Sequence, residues 1–436
     1  MSAKSALPLA SRLSGKLCLL TAALALIPAI GLSQEYTLTD LGTLGGSPSL
    51  ASAVNDSGQV VGGAGEPFLY SKGTMTGVWP GNPESGAAVA LNNNGHLVVN
   101  LSVDDYGDTE SYLWSGHNWT DLGIGGATSM NASDMVVGNS TNRGQPVAYW
   151  VYAKGQLDTS PGYAFGGADA LAWTVNDAGE IAGACANPDP NIGPSGCVFG
   201  ANISPYRLDN LSVPRGDLAA VAIRSDGTTC GQDNNAAIAI WSSNGTEIFH
   251  DSFGDGSACE ALNDYGVAVG NFYSPTFVTG SLAFVYDPVS GVRDLNNLIT
   301  KLSIKGHSVT IENAVSVSNT GFIAANCLYT EGNEYSDWRA CLLTPNPVLI
   351  LKDSINQLGK GDPECVQCNE ELNPLANSLP ESLTDLSAPE RRKVLATVEE
   401  MERRLQGLLR SRKIIESKEV LLLHEAQLVQ NSVDSF

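Results

Sequence analysis

Positive charge is what this sequence has least of. Its 436 residues include 24 Lys plus Arg against 46 Asp plus Glu, a net charge of −22 at pH 7. That balance argues against nucleic-acid binding by phosphate neutralisation. So acidic a body also repels anionic lipid surfaces. Long apolar runs are missing after residue 32, so no later segment reads as a membrane-spanning helix. The five histidines, His96, His117, His250, His307 and His424, are scattered without metal-ligand spacing. There is no Gly-x-Ser-x-Gly elbow, no phosphate loop and no His-Glu-x-x-His. These absences leave no catalytic, cofactor-binding or metal-ligating residue to name. Helix formers are sparse before residue 388, while hydrophobic residues reach 43% and glycines number 46. Such a chain is not globally disordered, and it favours many short strands joined by turns.

The amino terminus has a different character. Residues 1–33 carry Lys4, Arg12 and Lys16 and no acid, and 17–32 read LCLLTAALALIPAIGL. Small residues around Gly31-Leu32-Ser33 then precede Gln34. Positive, apolar and small in that order is a secretory signal, so the mature chain is expected to be secreted or periplasmic, at the cell surface or beyond. Setting Cys18 aside leaves eight cysteines, an even number that suits disulfides in an exported chain.

One short phrase recurs through the middle of the chain. Its first copy is Ala53-Val54-Asn55-Asp56-Ser57-Gly58-Gln59-Val60-Val61-Gly62. Further copies start at Asn92, Asn131, Asn176 and Asn263, and two degenerate ones at Arg224 and Ser318, with spacings of 37, 39, 45, 48, 39 and 55 residues. Asn-Asp-x-Gly between alternating apolar runs is a hairpin turn, because Asn and Gly tolerate positive φ. A third strand follows each hairpin, such as Pro67-Phe68-Leu69-Tyr70, and then a fourth ending in Asp-Leu. Four antiparallel strands per ~40 residues is a β-propeller blade, and seven copies predict an all-β, seven-bladed propeller over residues 34–347.

The ends of the array predict its closure. The seventh copy lacks an Asp-Leu strand, and an orphan one, Tyr36-Thr37-Leu38-Thr39-Asp40-Leu41, stands before the first copy. Lending it to the seventh blade removes two exposed sheet edges. The same register places Cys185–Cys197 and Cys327–Cys341 across equivalent strands and leaves Cys230–Cys259 to tie neighbouring blades. Cys365 and Cys368 are expected to form a small local disulfide.

The sequence resembles the bacterial extracellular HAF-repeat family over roughly residues 36–347. The resemblance rests on Asp40-Leu-Gly-Thr-Leu-Gly-Gly46, the Asn-Asp-x-Gly phrases, Asp294-Leu-Asn-Asn-Leu-Ile299 and Arg339-Ala-Cys-Leu-Leu-Thr-Pro345. The His-Ala-Phe triplet itself is missing; the matching places read Glu66-Pro67-Phe68, Ser281-Leu282-Ala283-Phe284 and Arg339-Ala340-Cys341. The resemblance implies an exported repeat protein and supplies no catalytic residue.

Residues 348–387 read as a linker holding Cys365-Val366-Gln367-Cys368. Ser387 and Glu390 form a capping box before an amphipathic stripe from Val394 to Val429. The stripe predicts a C-terminal α-helix of about forty residues over 388–436, packed on the propeller as a helix or helical hairpin, or forming a coiled coil that makes a homo-oligomer through 388–430. Two acidic loops, Asp104–Glu110 and Asp251–Gly256, would be the places for Ca²⁺, although neither has a calcium-loop spacing. Trp114, Trp150 and Trp241 share a repeat position with Tyr70 and Tyr286 and read as inter-blade packing. Trp79, Trp119 and Trp338 fall off that register and are candidate ligand-binding residues, suited to sugar stacking. The functional expectation is a secreted, non-enzymatic scaffold binding a protein or carbohydrate. The alternative is an extracellular polysaccharide-active enzyme, a glycoside hydrolase or lyase.

Overall fold

The computed structural model describes residues 35–435 apart from 46–47, 82–84, 104–106, 143–144, 163–169, 188–193, 213–219, 234, 254–255, 275–279, 300–302, 305–306, 332–333, 359–365, 412–413 and 415. The expected export segment, Asp104, Asp105 and Cys365 therefore lie outside the described residues.

Seven antiparallel sheets follow one another around a ring. Six are four-stranded, spanning 50–77, 86–124, 126–158, 170–212, 220–251 and 257–294. The seventh comprises strands from 303 to 345 and takes Tyr36–Asp40 as its outermost strand. Tyr36 pairs with Pro345, Leu38 with Leu343 and Asp40 with Cys341. The expected closure is thus present, and the first and last parts of the array are hydrogen-bonded into one sheet.

The glycine that ends five of the seven phrases has a steric reason. The innermost strand of every blade carries a β-bulge, at Ala51/Ala53 in blade one and at equivalent places in the others. A Cβ on Gly62, Gly183 or Gly270 would sit 2.0, 1.9 and 2.0 Å from the carbonyl oxygens of Leu50, Leu171 and Ala258. Only glycine lets the second strand approach the bulge so closely. An aromatic ring covers several of these positions from the third strand: Phe68 over Gly62, Trp150 over Gly138 and Phe284 over Gly270. This corrects the expected register in blade three. Tyr152, paired with Val136, is the counterpart of Tyr70, Trp114, Trp241 and Tyr286, and Trp150 stands two residues away at the Phe68 position.

Three disulfides occur among the described residues, and all three are the expected pairs. Cys185–Cys197 and Cys327–Cys341 cross-link second and third strands of blades four and seven, with Cα separations of 5.9 and 6.2 Å. Cys230–Cys259 ties blade five to blade six across 5.9 Å. Cys368 is buried and disulfide-bonded, with its partner outside the described residues.

The segment after blade seven departs from expectation. Residues 348–387 do not form an open linker: α1 (Pro347–Gln357) starts two residues after the last strand, and α2 (Val366–Ser378) follows. Asn346 caps α1 by accepting the Leu349 N–H at 3.3 Å, with Pro347 at the first helical position. Val348, Leu351, Ile355 and Leu358 recur at helical spacing and are buried, a signal that reading the segment for its glycines and prolines overlooked. The C-terminal stripe is divided into α3 (Ala388–Arg410) and α4 (Glu416–Asp434), which is the helical-hairpin form of the expectation. The capping box is as expected, the Glu390 carboxylate accepting the Ser387 N–H at 2.8 Å. Both helices bury their apolar faces in one core with α1 and α2, including Val398, Met401, Leu405, Leu422 and Val429. The stripe that would have zipped two chains together is consumed within this four-helix cap.

Candidate functional site

The repeated turns build one face of the ring. In blade one, Asn55 Oδ1 accepts the backbone N–H groups of Ser57 and Gln59 at 3.1 Å each, which shapes the turn. Its Nδ2 then donates to the carbonyl of Asn92 in the next blade at 3.1 Å. Asn92, Asn131, Asn176 and Asn263 repeat that reach onto the carbonyls of Asn131, Asn176, Arg224 and Ser318, at 3.3, 2.9, 2.8 and 3.0 Å. The two degenerate copies lack the amide and use other bonds. Ser225 N donates to Asp264 at 2.9 Å, and Asn319 N to Asp56 at 2.7 Å. The belt is continuous, and its last link closes copy seven onto copy one.

A second set of links lies deeper. Asn100 and Asn139 each exchange two hydrogen bonds with the bulged alanine of the next blade, Ala127 and Ala172, at 2.8–3.1 Å. Asn326 does the same to Ala51 across the closure. Sequence reasoning missed these residues, although an asparagine directly after the phrase's final position in four copies was a usable signal.

The belt encloses a mouth of about 210 Å³. Its acids are already committed. Asp56 accepts from Asn319 N and Asn93 Nδ2, and Asp264 from Ser225 N and Asn319 Nδ2. Burial alone would raise the Asp264 carboxyl, but the bonds from Ser225 and Asn319 outweigh it and hold it below the usual range. Such a carboxylate is a poor proton donor near neutrality. No group of three metal-ligating side chains is gathered among the described residues.

The roomier space lies beside the mouth, where the cap meets blades five and six. Helix α4 reaches the belt through His424. The His424 ring stacks on Tyr265, with centroids 3.3 Å apart and planes 7° apart, and its Nε2 lies 2.6 Å from the Asn319 carbonyl. Burial pulls the His424 imidazole below its usual value, which makes it a neutral donor to that carbonyl and a packing residue. Next to this contact is a cleft of about 580 Å³, a size that suits a small ligand or a few side chains. Ile240, Phe249, Leu262 and Tyr286 line its propeller side, and Val420 and Glu416 its helical side. Phe249 and Tyr286 pack ring to ring at 4.3 Å across the blade boundary.

Two features single the cleft out. Ile248 is 61% exposed and Val420 40%, both unusual for aliphatic side chains in this protein. Arg224 also lines it. Where other copies spend an Asn on the belt, Arg224 pairs with Asp226 at 3.1 Å, and its buried Nε has no partner. Arg224, in one of the two degenerate copies, thus lines the cleft with a side chain that is not spent on the belt.

The candidate tryptophans do not form one surface. Trp79 packs against Tyr112 and Trp119 at 4.8 and 4.9 Å, and Trp119 against Trp114 at 5.3 Å, all tilted or edge-on. This half-buried cluster fills the boundary between blades one and two, with the rings packed tilted or edge-on against one another. Trp338 is 36% exposed on blade seven and makes no ring contact with them among the described residues.

Strand pairing alone defines the class: a closed seven-bladed β-propeller carrying a C-terminal four-helix cap. No family model matches the chain, and no curated protein matches it. Among solved structures, the WD40 repeats of RRP9 align over 72% of this chain and 99% of theirs, with 11% identity and a TM-score of 0.44. The WD40 propeller domain of Doa1 aligns over 70% and 97%, with 15% identity and a TM-score of 0.40. Both are propellers, and neither likeness bears on function.

Proposed function

We propose that this protein is a non-enzymatic binding scaffold, and that the cleft between α4 and blades five and six takes an amphipathic ligand with an apolar body and one anionic or acceptor group. The observation that carries the reading is the pairing of exposed Ile248 and Val420 with the partly exposed Arg224 guanidinium in one ligand-sized space. Apolar walls supply affinity and a few placed polar groups supply orientation. The anilinonaphthalene sulfonate dye has this chemistry, an aromatic body and one anionic group. It is expected to bind one site per chain. Val420→Asp, which puts a charge on the apolar wall, is expected to weaken binding at least tenfold, and Arg224→Gln several-fold. Unchanged dye affinity in both variants would remove the cleft from consideration.

The chain is further inferred to be exported and its repeats to be of the HAF kind. Three disulfides support an oxidising compartment, and the motif residues support the repeat type. Among the described residues no helix is long and apolar enough to cross a membrane. Intact-mass measurement of exported protein is expected to show a chain beginning near Gln34; a mass that includes Met1 would contradict export through a cleaved signal.

A further inference from the structure

The cap is fastened to the propeller through a buried cluster with too few positive charges. Arg293, on the outer strand of blade six, donates from Nη1 to Glu35 at 2.7 Å and to Asp353 at 2.9 Å, and from Nη2 to Asp287 at 3.0 Å. Glu35 precedes the closing strand, Asp287 lies in blade six and Asp353 in α1. Ser354, next in α1, donates to Glu425 of α4 at 2.9 Å. One guanidinium thus binds three carboxyl groups, and a fourth, Glu425, joins the cluster through Ser354 with no bond to a cation of its own. Glu35, Asp287 and Glu425 are 1%, 4% and 5% exposed. The second oxygens of Glu35 and Glu425 are buried without a partner. Four ionised carboxylates around one cation cannot be held in so dry a place, because an unpaired buried charge costs several kcal/mol.

We propose that this cluster is a proton-dependent clamp: with protons on Glu35 and Glu425 it holds α1 and α4 on the propeller, and loss of those protons releases them. The groups facing the pair are Arg293, Asp287, Asp353 and Tyr36, and Tyr36 is kept neutral by burial. Burial pushes Glu35 up to about 7 against the pull of Arg293, and raises Glu425 well above the carboxylate range. When undocked, both groups revert to ordinary values near 4.5. The contribution of Glu35 to docking is therefore complete below that pH and is lost as the pH rises through about 7, and that of Glu425 is lost as the pH rises through its own raised value. His424, at the other end of the α4 contact, acts with the opposite sign, since its lowered value penalises docking when it is protonated. The consequence for ligand access rests on the cleft being a binding site, because α4 forms its wall; the clamp itself does not depend on that.

The test is hydrogen exchange on the full chain without ligand, comparing the wild type with Glu35→Gln/Glu425→Gln. Taking the ratio of the two cancels His424, which is common to both. Protection of α1 and α4 in the wild type, relative to the variant, is expected to fall by about tenfold or more between pH 6 and 8, the change linkage assigns to one group titrating near 7. A ratio independent of pH would overturn the clamp. Should the variant fail to fold, infrared spectra of the wild type decide: a protonated carboxyl band is expected at pH 6 and is expected to weaken by pH 8. Its absence at pH 6 would overturn the clamp equally. Since no ligand is present, this outcome is separate from that of the dye experiment.

Discussion

Replacing Leu38 with Asp is expected to abolish cooperative folding of the ring. Leu38 is 5% exposed in the closing strand and pairs with the fully buried Leu343. Removing a buried Leu costs about 2–5 kcal/mol, and an uncompensated buried carboxylate adds several more. That sum is comparable with the roughly 5–15 kcal/mol by which a whole domain is stable. The strand also joins the two ends of the array, so its loss exposes the edge of blade seven. Thr37 is the internal control. It is the exposed neighbour on the same strand, and Thr37→Asp is expected to shift stability by less than about 0.5 kcal/mol. Denaturant unfolding followed by circular dichroism measures both. A Leu38→Asp protein that unfolds at the wild-type midpoint would mean that the ring holds without its closure.

A single methyl group on Gly183 should be nearly as damaging. The added Cβ would lie 1.9 Å from the Leu171 carbonyl oxygen, a backbone atom in the bulged inner strand. Neither backbone has a flexible end that could give way, so the two strands must separate. A loss of about 3 kcal/mol or more is expected from overpacking at such a place. Gly407, exposed in the last turn of α3, has nothing within 4 Å of its Cβ position. Gly407→Ala is therefore expected to stabilise by about 0.5–1 kcal/mol through helix propensity. Opposite signs from the same substitution would establish that the repeated glycine is steric; equal small effects would show that the bulge relaxes.

These two predictions mark what was and was not legible beforehand. The glycine at the end of five of the seven phrases is visible as a recurring residue, but its reason is not. The bulge that crowds it is a property of paired strands and leaves no residue signature of its own. Trp150 illustrates the same limit: it looked equivalent to Trp114 and Trp241, and pairing with Gly138 placed it two residues out of register. The helices within 348–378 were partly readable, since Asn346-Pro347 starts α1 and its apolar residues keep helical spacing. The Cys pair and the prolines of the same segment point instead to a loop. Trp79 and Trp119 were singled out together and do meet, but aromatic identity could not say that their rings would be spent on each other.

By itself the sequence determined the number of blades, the closing strand and three disulfide pairs. Each depends on a pattern that repeats locally: turn residues, strand alternation, and the offset of a cysteine from its own turn. Tertiary structure alone decided the cleft and the clamp. Glu35, Asp287, Arg293, Asp353 and Glu425 span almost the whole chain, and nothing in their spacing brings them together. Closure of the ring and folding of the cap do so. The burial that follows gives two ordinary glutamates a protonation unlike that of the exposed acids around them, because desolvation acts on a place in the fold and not on a residue type.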